Sequence, residues 1–414
     1  MKLPILFVLM TVMIDAIGIG IIIPVFPDLM LEVSGGTIAD AALWGGSLAA
    51  AFAIMQLLCS PTVGNLSDRF GRRPVLLVSL LVLGIDYIIM GIAHTLWLLF
   101  LGRIVGGIAA STPATAAAFI ADVSRAEDKA QNFGLLGAAF GAGFVFGPLV
   151  GAVFAEFGTR APFYAAAGFT FANLLLGYFV LPETVTERLR RPFEWRRANP
   201  IGGLLHLGKL PGMKTLLVVF LLYHIVYAVY PAIWSFWGIE RFGWDARMIG
   251  ISLAIYGVTT VIVQGWGIRF VLTRLSERQT MFLGIVLEII GLVGFAFIDR
   301  EWLVFALIPV SSCGALALPA MQGIMSRIAD VNQQGELQGL SASLISFANV
   351  IAPIAMTAIF SIFIDGTLPI YLPGAPFLFS AVLALFCILL IAVRTSESSR
   401  HNQKGASLHK PSHG

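Results

Sequence analysis

The sequence predicts an all-α integral membrane protein with twelve transmembrane helices in two pseudo-symmetric six-helix bundles. Composition, the spacing of apolar runs and an internal repeat each point there. Of 414 residues, 58% are hydrophobic and 12% charged, whereas a soluble domain carries about 25% charged residues. A surface that poor in charge suits lipid as solvent. The 43 glycines suit helices that approach closely in a bilayer, where small residues supply the packing. The net charge of +3 is small, and no nucleic-acid partner is expected.

A helix needs about 20 apolar residues to cross a hydrocarbon core about 30 Å thick, and its backbone must be satisfied internally. The first such run, 4–27, follows Lys2 and carries Asp15. That acid and the lack of a small-residue cleavage site make it a helix, not a secretory leader. Run 43–64 ends at a basic turn; 74–94 carries Asp86 and 96–121 carries Arg103. Run 132–156 is rich in glycine, and 162–181 closes the first half. A polar interval, 182–212, divides the chain. Run 213–238 bears Tyr223, Tyr227, Tyr230 and Trp234, read chiefly as packing and interface anchoring. Its His224 is read chiefly as hydrogen-bonded packing, with proton relay the other option. Run 247–270 carries Thr260, Gln264 and Gly267 as a polar, small stripe, and 279–298 carries Glu288. Runs 302–326, 337–364 and 375–393 complete the set. The polar tail 396–414 is expected to be disordered. The domain plan is therefore a bundle over 1–181, a central cytoplasmic loop over 182–212, a bundle over 213–395 and the tail.

The halves repeat. An interval of 205 residues separates Gly134 from Gly339, Pro148 from Pro353 and Arg69 from Arg274. Ala121-Asp122-Val123 recurs as Ala329-Asp330-Val331, and Ala161-Pro162-Phe163 as Ala375-Pro376-Phe377. Parallel repeats of this kind enclose a site near the midplane and rock about it. Of the 26 Lys and Arg residues, 21 fall on the side of both termini and 4 on the other. By the positive-inside rule both termini are cytoplasmic. Trp44, Trp97, Trp234, Trp237, Trp244 and Trp302 then form an aromatic belt at the outer interface. Cys59, Cys313 and Cys387 lie in apolar runs and suggest no disulfide framework.

Asp15, Asp86, Glu288 and Arg103 lie about 14–20 Å along their helices from the nearest polar end. Each would cost about 2.5–3.5 kcal/mol facing lipid at that depth. Small or polar neighbours, such as Gly284 and Gly291 around Glu288 and Gly106 and Gly107 after Arg103, turn them inward. Static ion pairing is the bland reading, strongest for Asp86 with Arg103. Three carboxylates against one arginine leave a negative surplus, which favours protons and cationic solutes. No metalloprotease, nucleophile-elbow or Cys/His signature is present, so no enzyme, cofactor or metal centre is expected.

The stretch Gly64-Asn65-Leu66-Ser67-Asp68-Arg69-Phe70-Gly71-Arg72-Arg73 sets an acid beside basic pairs at a helix end. It resembles the cytoplasmic signature of the major facilitator superfamily. Gly143-Phe144-Val145-Phe146-Gly147-Pro148-Leu149-Val150-Gly151 resembles that superfamily's antiporter motif, with Ala152 where a second glycine is usual. The stretches from Asp15 to Pro24, Gly84 to Tyr87, Gly102 to Gly107, Phe119 to Asp122 and Arg241 to Asp245, together with Gln338-Gly339, resemble the tetracycline–proton antiporters. The resemblance implies export, from the bacterial inner membrane, of a small amphipathic cationic or metal-chelated drug such as tetracycline in exchange for protons. A divalent cation such as Mg would travel as part of the cargo. Asp15, Asp86 and Arg103 are implied in proton coupling, and Gln264, Glu288 and Thr260 in cargo binding. Glu288 stands where the family has Asp, and Thr260 where a His is known. The alternative is an exporter of another small solute, a sugar, siderophore or metabolite, with the same coupling. The oligomeric state is open, and a monomer is compatible. Gly64, Asp68, Arg69, Gly71, Arg72, Arg73 and Asp122 make up the expected cytoplasmic gate. Within it, Asp68, Arg72 and Asp122 are expected to lock the second, third and fourth spans when the outer side opens, with Asp68 near the start of the eleventh.

A reporter active only in cytoplasm is expected to be active when fused after residue 190 or 400. Activity from fusions within 28–40, where Asp28, Glu32 and Asp40 have no basic neighbour, would reverse the orientation.

Overall fold

Each apolar run is a helix in the computed structural model, which describes residues 3–110, 112–125, 128–185, 213–330 and 333–407. The first half contains α1 (Pro4–Ile22), α2 (Ile38–Phe70), α3 (Arg72–Ile92), α4 (Leu96–Val123), α5 (Gln131–Ala155) and α6 (Ala161–Val180). The second contains α7 (Lys214–Phe242), α8 (Ala246–Leu272), α9 (Glu277–Phe297), α10 (Glu301–Ile328), α11 (Glu336–Ile364) and α12 (Ala375–Ala392). All twelve are long and apolar enough to cross a membrane. Residues 186–212, most of the expected central loop, lie outside the described residues, as do 408–414 of the tail. The last helix runs on to Ser407. Extending an existing helix fixes one residue per added bond, with no new nucleus, and no Gly or Pro occurs between Pro376 and Gly405 to stop it.

Caps set the helix starts. Thr37 and Asp40 form a reciprocal capping box that begins α2 five residues before its expected start. Ser276 and Gln279 do the same for α9. At its other end α2 continues through Asp68 and Arg69, beyond the expected helix end at 64. The chain reverses at Gly71, whose φ of 111° only glycine adopts readily.

Apart from a π-turn in α8, the interruptions fall at every third span. After α1 a turn leads into a short helix, Phe26–Ser34. The path of α4 breaks at Ala110, that of α7 at Ala228, and α10 tightens to a 3-10 turn over Cys313–Leu316. In α7, Pro231 has no N–H to offer Tyr227, where the first segment ends.

The bounds of α3, α4 and the start of α5 map onto α9, α10 and the start of α11 with the 205-residue interval unbroken. Ala121-Asp122-Val123 therefore matches residues 326–328 in space, and its likeness to Ala329-Asp330-Val331 is coincidental. Ala161-Pro162-Phe163 and Ala375-Pro376-Phe377 do open equivalent helices.

Small residues join the halves at one end only. A side chain on Gly46 of α2 would strike Pro353 and Thr357 of α11, and one on Gly250 of α8 would lie 2.7 Å from the Pro148 carbonyl of α5. Ser235 Oγ donates to the Ile23 carbonyl across the same seam, at 3.0 Å. Toward the opposite, arginine-rich end, side chains on Gly134, Gly137, Gly141, Gly265 or Gly339 would meet no atom within 4 Å. The apolar core follows suit: one cluster spans both halves, and a separate one, around Phe7, Leu76 and Phe119, serves the first half alone. The two bundles are thus parted at the basic end and closed at the far end, distal to the arginines.

The expected aromatic belt divides. Trp44, Trp97 and Trp302 are exposed, but Trp234, Trp237 and Trp244 are buried. Gly243, at φ 67°, turns the chain so that Trp244 folds back over Gly238. Trp234 and Trp237 pack edge-on against Phe295 and Phe377 at 5.1 and 5.2 Å. The indoles are satisfied internally, Trp234 by Ser252 and Trp244 by Glu301, so they need no interfacial water.

Single cysteines at Gly137 or Gly339, in protein lacking Cys59, Cys313 and Cys387, are expected to react quickly with a water-soluble maleimide. Cysteines replacing Ala152 or Thr357, in the far seam, are expected to react slowly. Equal rates at both ends would contradict one-sided closure.

Candidate functional site

A cavity of about 380 Å³ lies between the halves. The first half lines it with Asp15, Phe52, Gln56, Tyr87, Arg103 and Thr112; the second with Pro231, Ser235, Phe236, Asn349 and Pro353. Its walls are mainly apolar with a few polar groups, the usual composition of a small-molecule site.

The three intramembrane carboxylates have different surroundings. Asp86 on α3 has no exposed surface and pairs with Arg103 on α4. Glycines at 102 and 106 make the room: a side chain on Gly102 would come within 2.9 Å of the carboxylate, and one on Gly106 would overlap it. Arg103 also lies over the Phe52 ring, 5.1 Å from its centroid, which holds the cation at the cavity wall. Asp15 on α1 is 5% exposed, faces the cavity, and its Oδ1 has no hydrogen-bond partner. No cation is paired with it among the described residues. The ring edge of Tyr87 covers Gly18, one turn further along α1.

Glu288 on α9 is fully buried, but away from this cavity. The Tyr230 hydroxyl donates to its Oε1 at 2.8 Å and lies 2.6 Å from Ser311 Oγ. Tyr223 donates to the Gly314 carbonyl at 2.9 Å, and Gly314 leaves space for the second Glu288 oxygen. The tyrosine stripe of α7 is therefore packing around a buried acid. His224 accounts for itself locally, with Nδ1 2.8 Å from the Phe220 carbonyl.

Gln264, Glu288 and Thr260 were expected to meet the cargo opposite Asp15. None of them lines this cavity. Gln264 is exposed on a π-turn over Val263–Gly267. Thr260 is half-buried. In this arrangement Ser235 and Asn349 are the second half's polar groups at the cavity. Sequence reading missed them and Gln56. Their signal was an isolated amide or hydroxyl well inside an apolar span. Gln56 has a structural task as well: its Nε2 donates to the Ala110 carbonyl at 2.9 Å, where α4 breaks.

At the basic end, Arg72 pairs with Asp68 at 2.6 Å and with Asp122 at 3.2 Å. The triad forms while that end is open, and it lies wholly within the first half. Arg73 donates to the Tyr178 carbonyl at 2.6 Å, and Arg69 lies over Phe70. Glu183, not singled out by sequence, accepts the backbone N–H groups of Arg72 and Arg73 at 2.9 and 3.3 Å. It caps α3, whose own N-cap residue, Gly71, has no side chain. Gly64 is open. The glycines of the α5 motif act in packing: Gly143, Gly147 and Gly151 each abut α1 backbone, and Pro148 meets both Gly20 and Gly250.

Comparison with known proteins agrees with this architecture. The sequence pattern described as Major Facilitator Superfamily matches residues 8–298 and 216–412. The chain is 40% identical over 354 residues to the class C tetracycline resistance protein of Escherichia coli, covering 86% of this chain and 89% of that one. It is 34% identical over 387 residues to the class B protein of Escherichia coli, covering 94% of each. Among solved structures, a bacterial homolog of the human lysosomal transporter Spinster, in an inward-facing and occupied conformation, superposes with a TM-score of 0.74. It is 14% identical, with 95% of this chain and 96% of that chain covered.

Replacing Arg103 alone by Ala is expected to destabilise the purified protein by about 3–5 kcal/mol, because it strands a buried carboxylate. Asp86→Asn combined with Arg103→Ala should recover most of that loss in thermal unfolding. No recovery would show that Arg103 acts mainly through Phe52 and the cavity wall.

Proposed function

We propose that this chain, which belongs to the Major Facilitator Superfamily and moves a small solute across a membrane without catalysing a reaction, is a proton-coupled antiporter. Its cargo is a small amphipathic cationic or metal-chelated drug, with tetracycline the first candidate. The observation that carries the reading is the unpaired Asp15 carboxyl at the wall of a cavity between the halves. Burial disfavours the charged form of an acid, so Asp15 has two ways to be neutral: hold a proton or face a cation. The two compete for one group, and competition between proton and cargo is what antiport requires. Asp86 is already neutralised by Arg103, which leaves Asp15 as the group that switches.

The arginine-rich end is taken as cytoplasmic on charge distribution, which makes the structure inward-open, and the similarity to bacterial tetracycline resistance proteins supports the bacterial inner membrane as its site. A cation arriving from the cytoplasm would favour ionised Asp15 and send the proton inward. After the halves rock, protons outside would displace the cargo. The similarity to tetracycline resistance proteins supports the cargo class. The aromatic and apolar walls, Phe26, Phe52 and Phe236 among them, suit a polycyclic ligand. Glu288, sealed behind Tyr230, is better placed to hold a proton than to touch cargo in this conformation. Gln264 and Thr260 would join the cargo only after the end of α8 moves.

In proteoliposomes, Asp15→Asn is expected to abolish uphill, proton-driven tetracycline transport while counterflow exchange of labelled tetracycline survives. Uphill transport with normal proton dependence in that variant would sink the assignment. Glu288→Gln is expected to change the pH dependence of transport and to leave tetracycline affinity within a few-fold of wild type. A large loss of affinity would return Glu288 to the cargo site.

A further inference from the structure

The second part of α8 carries an ordered row of side chains that neither the cavity nor the seam between the halves uses. Three neighbours fix which way this helix faces. A side chain on Gly257 would meet Val145 of α5. Tyr256 packs on Tyr230 of α7, with ring centroids 5.3 Å apart. Thr259 Oγ1 lies 2.7 Å from Ser312 Oγ of α10. The side left over carries Val258, Ile262, Trp266, Phe270 and Arg274, each about one turn beyond the last and all exposed. None of them lines the cavity. An exposed apolar row on a membrane-spanning helix lies against acyl chains, and its aromatic end marks the headgroup level.

At that end the row becomes a ladder. Trp266, 69% exposed, stacks on Phe270, with centroids 5.8 Å apart and planes 13° from parallel. The Arg274 guanidinium lies 4.2 Å from the Phe270 centroid. Arg278, in the first turn of α9, lies over Phe282 at 5.8 Å. The turn between them is tied down: Thr273 Oγ1 donates to the Phe270 carbonyl at 2.7 Å, and Ser276 and Gln279 cap α9.

These two arginines are uncommitted where their counterparts are not. At the 205-residue interval Arg274 corresponds to Arg69, Glu277 to Arg72 and Arg278 to Arg73. In the first half Arg72 is held by Asp68 and Asp122, and Arg73 by the Tyr178 carbonyl. In the second half Glu277, the acid between the two arginines, is taken by Arg327. Among the described residues neither Arg274 nor Arg278 has a carboxylate within ion-pair distance; each has a ring. A guanidinium held flat against a ring keeps its planar fork of N–H donors free for a further partner.

We propose that the end of α8 and the start of α9 form a binding site for an anionic phospholipid. Arg274 and Arg278 hold its phosphate, and Phe270 and Trp266 lie along the start of its acyl chains. Guanidinium groups bind phosphate oxygens through charge-assisted hydrogen bonds, and basic sites between membrane helices hold anionic headgroups in this way. A zwitterionic headgroup brings its own cation to the phosphate and competes with the arginines, so the site favours a lipid with net negative charge. The row leading to the arginines already lies in the hydrocarbon layer, which makes the phosphate that of a lipid and not of a free anion. Trp266 also belongs to the π-turn that carries Gln264, so a bound lipid touches the one irregular stretch of α8. The inference stands apart from the cargo and from proton coupling.

Charge distribution alone puts basic residues at this end without distinguishing one arginine from another, whereas a built site does distinguish them. Full-length protein in detergent is titrated with dioleoyl phosphatidylglycerol or dioleoyl phosphatidylcholine, and bound lipid is counted by native mass spectrometry. Wild type is expected to bind phosphatidylglycerol the more tightly. Arg274→Gln with Arg278→Gln is expected to weaken that binding by about 30-fold, the effect of two basic residues at an anionic surface. Arg125→Gln with Lys129→Gln removes the same charge from the basic end of the first half and is expected to change it by less than about three-fold, since distant charges are screened. Phe270→Leu keeps every charge but frees Arg274, and is expected to weaken binding several-fold. All four substituted side chains of the charge variants are exposed, and thermal unfolding within a few degrees of wild type verifies that the proteins are folded. Equal losses from the two charge variants, no loss from the first, or unchanged binding in Phe270→Leu would each overturn the proposal. So would displacement of the lipid by soluble glycerol phosphate, which would make the site one for a free anion.

Discussion

A carboxylate inside the hydrocarbon layer has to be neutralised by something, and much of this molecule is arranged around how three of them are. Asp86 has a guanidinium. Glu288 has a tyrosine hydroxyl and a shell of small residues. Asp15 has neither, only a cavity. These surroundings explain features that composition alone leaves unexplained. Glycine at 102 and 106 makes a slot on α4 that a Cβ would fill, and glycine at 314 does the same on α10. The tyrosines of α7 are kept from the membrane surface because one of them holds the acid of α9. Two of the three acids thus have a side-chain partner on one oxygen, and the third faces the cavity without a cation beside it among the described residues.

The same use of small residues lets the halves move. Contact at the far end runs through Gly46, Gly250, Pro148 and Pro353, where backbone approaches backbone. Small residues let the backbones approach closely there, with Phe26 and Phe236 meeting edge-on across the same seam. At the basic end the corresponding glycines of α5, α8 and α11 stand clear. Interruptions in α4, α7 and α10, and the turn after α1, occur in the helices that begin each three-helix unit. The turn after α1 and the breaks at Ala110 and Ala228 lie beside the cavity, where the Ala110 carbonyl finds a partner in Gln56.

The helix count, the two halves and the membrane setting were legible because lipid imposes length and composition on every span, and nothing else produces twelve such runs. The Asp86–Arg103 pair was legible because a lone acid and a lone base at similar depth have few other partners. The triad of Asp68, Arg72 and Asp122 was legible as a grouping of the second, third and fourth spans, but not that it forms while the basic end is open. Three things escaped sequence reading. The α9 acid sits behind tyrosines because that depends on how α7 rotates after its break. The cap supplied by Glu183 crosses more than a hundred residues, beyond any local pattern. Cavity-lining Asn349 and Ser235 are ordinary polar residues whose direction only packing decides. The short Ala-Asp-Val likeness misled for the opposite reason: three matching residues outweighed a register that the helix ends contradict.

The central claim is that proton and cargo compete for Asp15, and proton release on binding measures it directly. Purified full-length protein in weakly buffered detergent solution, with a pH-indicating dye, is mixed with tetracycline and Mg2+. The account predicts proton release that saturates with tetracycline in wild type and is absent in Asp15→Asn. Equal release from both proteins, or none from wild type while tetracycline binds, would contradict it.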